Sequence, residues 1–124
     1  MLEIQNENSK VTLTDDKLFI AEYKDNVCLE VEDIQVVIDN YDDNTEGETW
    51  KVLHIFPKGT TVSSAARDLA ENREKPAKAE AFVIEGIGNR ILFRFYQKFR
   101  SVKYPIKEFS NREKAMEWLD TIKD

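Results

Sequence analysis

The chain predicts a single α/β domain with a mixed, mainly parallel five-stranded sheet and about four helices, in the order ββαβαβαβα. Three observations carry this. Ala81 to Ile84 is an apolar run too short for a helix; Gly86 and Gly88 break it, a helical pattern follows, and Pro105 to Phe109 returns as a strand. Strand, helix and strand in sequence build a βαβ unit with parallel strands. Alternating Val11 and Leu13, then Leu18 to Tyr23 after Asp15-Asp16, read as an opening hairpin. Between these, helical patterns alternate with strand patterns, as in a layered α/β domain.

Residues 1–9 are polar and are expected to be flexible, leaving 10–124 as the domain. After the hairpin, Lys24-Asp25-Asn26 makes a turn and Val27 to Leu29 a short apolar patch. Val31, Ile34, Ile38 and Tyr41 recur at helical spacing, with Glu30, Glu32 and Asp33 at the start, where the helix dipole favours anions. Asp42 to Gly47 has no apolar residue and reads as a solvated loop. Trp50 to Phe56 is the next strand, ended by Pro57 and Gly59.

Thr61 or Ser63 can cap the following helix, whose Ala65, Ala66, Leu69 and Ala70 give it a small apolar face able to lie close to the sheet. A polar connection through Pro76 leads to the strand at Ala79. From Asn89 to Arg100, Ile91, Leu92, Phe95, Tyr96 and Phe99 mark a third helix. Ser110-Asn111-Arg112-Glu113 fits a capping box, and Ala115, Trp118, Leu119 and Ile122 line the buried side of the last helix.

Length and composition set limits on function. At 124 residues, with 41% hydrophobic and 34% charged side chains, the chain can bury a core without metals or disulfides. No run approaches the roughly 18 apolar residues of a membrane span. No secretory signal is visible, and the lone Cys28 has no internal partner, so the cytoplasm is expected. Residues 1–50 hold 14 acidic against 3 basic side chains, a balance of −11; residues 51–124 hold 10 against 15, a balance of +5. The acidic total of −6 disfavours nucleic acid as a partner.

Catalytic and metal chemistry find little support. His54 lies in the apolar strand WKVLHIF with no nucleophile or second acid at a useful spacing, and reads as a hydrogen-bonded structural residue. Cys28 has no CxxC partner and reads as a small buried hydrophobe; no metal and no cofactor are expected. Gly86-Ile87-Gly88 lacks the third glycine of a dinucleotide fingerprint and the lysine of a P-loop, and reads as a tight turn.

Two surfaces remain. At the second helix start, Ser63 and Ser64 are caps that could take a phosphate, with Arg67 one turn on as its counter-charge. On the third helix, Arg90, Arg94 and Lys98 stack at a spacing of four with Phe93 beside them. An exposed aromatic among cations suits a homodimer interface, an acidic partner or a lipid surface.

The segment order, and especially Val62-Ser63-Ser64-Ala65-Ala66-Arg67 and Tyr104-Pro105-Ile106-Lys107-Glu108-Phe109 through Ala115-Met116-Glu117-Trp118-Leu119, resembles the SpoIIAA-like branch of STAS domains, close to short bacterial STAS/SEC14-type proteins. The phenylalanine-rich stretch Phe93 to Phe99 is similar too, and the likeness spans about residues 10–122. It implies a STAS-like fold and a non-enzymatic, protein-binding, regulatory role. In anti-sigma-factor antagonists a serine at the corresponding helix start is phosphorylated by a partner kinase. Ser63 or Ser64 is the counterpart by position, and the partner implied is another protein, a kinase or anti-sigma-type regulator. The family's Asp-Ser-x-Gly-like sequence is replaced here by Thr-Val-Ser-Ser-Ala-Ala. The SEC14-type likeness implies an alternative, a binder of a small apolar ligand or lipid.

Overall fold

The computed structural model describes residues 1–72, 77–86 and 104–123. The predicted helix over 89–100, with Arg90, Phe93, Arg94 and Lys98, lies outside the described residues, as do Ile87 and Gly88.

The elements run β1 (Leu2–Gln5), β2 (Ser9–Leu13), β3 (Leu18–Tyr23), β4 (Cys28–Leu29), α1 (Val31–Asn44), β5 (Lys51–Phe56), β6 (Thr61–Val62), α2 (Ser64–Glu71), β7 (Ala79–Ile84), β8 (Ile106–Phe109) and α3 (Arg112–Thr121). The main sheet has six strands in the order β1-β2-β3-β5-β7-β8. The first three are antiparallel neighbours, and β3, β5, β7 and β8 are parallel. The architecture is the mixed, mainly parallel α/β sheet expected from the alternation, but among the described residues it has six strands where five were expected, since residues 2–5 add an edge strand, and three helices.

Strand alternation sends successive side chains to opposite faces. On one face Val11, Leu13, Phe19, Ala21, Tyr23 and Val52 meet Ile34, Val37 and Tyr41 of α1 and Ala66 of α2. On the other, Leu18, Ile20, Leu53, Ala79, Ala81 and Val83 meet Ala115 and Leu119 of α3. Every residue of β7 is buried, which is why AEAFVI lacks a polar–apolar alternation.

Several local expectations change. Residues 2–5, expected to be flexible, form the edge strand β1, because Leu2 and Ile4 alternate with polar neighbours and the Asn6-to-Ser9 turn folds them back onto β2. The apolar patch at 27–29 and the residues before α2 form a second sheet of two short strands, β4 and β6. Helix α1 extends to Asn44, where Thr45 Oγ donates to the Tyr41 carbonyl; Val31, in its first turn, is exposed. Cys28 is exposed rather than buried, since β4 turns its companion Leu29 inward instead. The cap of α3 falls one residue later than the sequence reading: Asn111 Oδ1, not Ser110, accepts the Lys114 amide at 2.9 Å.

Candidate functional site at the start of the second helix

The parallel strands β3 and β5 end at Tyr23 and Phe56, and the chain after each turns into the start of a helix. A two-stranded parallel ladder joins these two helix starts, pairing Cys28 with Thr61 and Leu29 with Val62. The Thr61 amide donates to the Val27 carbonyl at 2.9 Å and the Ser63 amide to the Leu29 carbonyl at 3.0 Å. Thr60 Oγ donates to the Lys24 carbonyl at 2.7 Å. Gly59, at φ +87, lets the loop pass against Asn26, where any Cβ would meet the Asn26 carboxamide at 2.1 Å.

This clasp sets the two serines apart. Ser63 is extended (φ −64, ψ 159), and its Oγ accepts the Ala66 amide at 3.1 Å, so it is the N-cap. Ser64, the first helical residue, is exposed, and its Oγ accepts a hydrogen bond from Arg67 Nη2 at 3.3 Å. The pattern Ser-x-x-Arg on a helix therefore brings hydroxyl and guanidinium together across one turn. Beside it, Glu30 caps α1 in a reciprocal box with Asp33, and the Cys28 thiol lies 3.5 Å from Glu30 Oε1.

A second constellation crosses the sheet face that carries α1. Tyr23 Oη lies 3.1 Å from His54 Nδ1, and His54 Nε2 lies 3.1 Å from Glu80 Oε2; Tyr104 Oη donates to Glu80 Oε1. In register, Ala21 faces His54, His54 faces Phe82, and Glu80 faces Ile106. Each polar contact thus steps two residues back along the next strand, while the aromatic pairs Tyr23–Phe56 and His54–Phe82 stack at 4.6 and 4.7 Å. Carboxylate, imidazole and hydroxyl in a row have the connectivity of a proton relay, but the hydroxyl is that of Tyr23, only 5% exposed. As it stands, the row points into the core and ties four segments together.

His54 was legible as a hydrogen-bonded strand residue; Glu80 was not singled out. Its signal was a carboxylate inside an otherwise apolar strand, which requires a partner when buried. Among the described residues, no group of three or more His, Cys, Asp or Glu side chains is arranged to hold a metal. Nor is any helix there long and apolar enough to cross a membrane.

Fold and order of elements define a SpoIIAA-like α/β domain. An uncharacterised protein of the DUF3478 family with a SpoIIAA-like fold, from Shewanella loihica PV-4, is similar in structure: the TM-score is 0.60 at 18% identity, over 94% of this chain and 98% of that one. The model of a domain of unknown function, DUF7793, matches residues 11–123, and the chain belongs to that family. No curated protein matches it. The structural likeness speaks for the fold alone.

Proposed function

We propose that this chain is a non-enzymatic domain that binds another protein and is regulated by phosphate on Ser64. The observation that supports this is the division of labour at the start of α2. Ser63 is committed to capping, whereas Ser64 is exposed with the Arg67 guanidinium already against its oxygen. Phosphate there would add a charge of about −1.5 to −2 at a helix N-terminus, where the dipole favours it, and would turn the Arg67 contact into a charge-assisted pair. A kinase or anti-sigma-type regulator is the kind of partner such a switch implies, in keeping with the SpoIIAA-like fold.

The test is mass spectrometry of the protein isolated from its own cells, with Ser64→Ala alongside. A phosphate adduct that maps to Ser64 and disappears in the variant supports the reading. Unmodified Ser64 under all growth conditions, with partner binding unaltered by Ser64→Asp, would sink it.

A second reading, carriage of a small apolar ligand, draws on the cluster of Phe82 and Ile84 with the half-buried Phe56 and Ile106. An organic extract of the native protein that contains a stoichiometric apolar compound would favour it over the switch.

A further inference from the structure

We propose, resting on the reading of Ser64 as a phosphate acceptor, that the Glu30 carboxylate senses the charge placed there: phosphate on Ser64 repels Glu30 across two neighbouring helix starts and loosens the first turn of α1. The register of the short ladder sets up this contact. Leu29 pairs with Val62, and the Ser63 amide donates to the Leu29 carbonyl. The caps of α1 and α2, Glu30 and Ser63, therefore sit side by side, at about the 4.8 Å spacing of neighbouring strands. Ser64 is the next residue along.

Strand alternation decides where the carboxylate lies. Leu29 is fully buried, so Cys28 and Glu30 point outward, as Thr61 does on the paired strand. The Cys28 thiol donates to Glu30 Oε1 at 3.5 Å, which holds the carboxylate back over the ladder. Asp33, the other anion of the box, is committed elsewhere: its Oδ2 takes the Glu30 amide and its Oδ1 the Asn8 carboxamide, both at 2.9 Å. Among the described residues neither Glu30 nor Arg67 is in an ion pair, so both charges can answer a new one. Arg67 attracts the phosphate from within α2, and Glu30 opposes it from α1. One residue beyond neighbouring caps, the two anions lie on the order of 8 Å apart, about the screening length at physiological salt. A displaced Glu30 carboxylate gives up its side of the box, and the Asp33 amide keeps only the Glu30 carbonyl, 3.1 Å away. The coupling is reciprocal, so Glu30 must also bear on the ionisation of the phosphate.

The full chain with phosphate installed on Ser64 during synthesis tests this, independently of what cells do to that serine. In phosphorus NMR at about 0.01 M salt, Glu30→Gln should lower the midpoint of the second phosphate ionisation by about 0.3 pH unit, the effect of two unit charges on the order of 8 Å apart in water. Arg67→Gln should raise it. Salt near 1 M, where screening shortens to about 3 Å, should erase both differences. In amide exchange, phosphate on Ser64 should speed the Asp33 amide several-fold over the unmodified chain, and Glu30→Gln should abolish that acceleration. Glu32→Gln removes the same charge from the same turn, off the ladder, and controls for net charge. A midpoint unmoved by Glu30→Gln, or moved equally by Glu32→Gln, overturns the proposal; so does an Asp33 amide indifferent to the phosphate. Whether cells place phosphate on Ser64 is decided separately, by mass spectrometry of the native protein.

Discussion

His54 Nε2 sits 3.1 Å from Glu80 Oε2 across neighbouring parallel strands. An ionised Glu80 only accepts, so a neutral His54 carries its hydrogen on Nε2 and takes the Tyr23 hydroxyl hydrogen on Nδ1. Long-range nitrogen–proton NMR of the imidazole should report the Nε2–H tautomer. In Tyr23→Phe the same tautomer should persist, because Glu80 and not Tyr23 imposes it; a switch to Nδ1–H in the wild type would contradict the assignment.

The row also makes an unequal set of stability predictions. Tyr23→Phe removes one hydroxyl and should cost about 1 kcal/mol in urea unfolding. Glu80 is only 2% exposed, so Glu80→Ala leaves the His54 and Tyr104 donors facing a buried void and should cost about 3 kcal/mol or more. Equal losses for the two variants would show that Glu80 is not the hub.

The two serines at the α2 start should separate cleanly. Ser63→Ala deletes the cap and should lose about 1 kcal/mol; Ser64→Ala, at an exposed first-turn position, should change stability by less than about 0.5 kcal/mol. Thermal melts of both variants check this. The result also tells whether a defect in binding by Ser64→Ala reflects lost regulation or lost folding.

Glycines 47 and 59 offer a controlled pair. Both have positive φ, +79 and +87, but a Cβ at Gly47 meets open space, whereas at Gly59 it collides with Asn26. Gly47→Ala should show the backbone penalty alone, about 1–2 kcal/mol. Gly59→Ala should cost visibly more, and shortening the obstacle in Gly59→Ala/Asn26→Gly should recover part of the difference.

Much of this fold was legible because its signals are local. The apolar run of β7, the glycine at 86, the proline before β8 and the spacing of Ala115 and Leu119 each report their own segment. What was missed depends on pairing. Leu2–Gln5 is too short to announce itself and becomes a strand only because β2 offers a ladder. β4 and β6 have two residues each and exist only by virtue of each other. The same holds for the candidate site. Ser63, Ser64 and Arg67 could be named from capping chemistry and helical spacing, while the choice between the serines required seeing which hydroxyl the Ala66 amide takes. A carboxylate in an apolar strand marks Glu80 as needing a partner, but which partner follows only from the register that places it one diagonal from His54.

The ladder between 27–29 and 61–63 has a consequence for how the domain breathes. Its backbone bonds belong to two loops at once, so neither loop can open without releasing the other. In amide exchange, Thr61 and Ser63 should therefore lose protection at a common rate, as one small cooperative unit. Whatever pulls on the beginning of α2 is then felt, through the same yoke, at the beginning of α1.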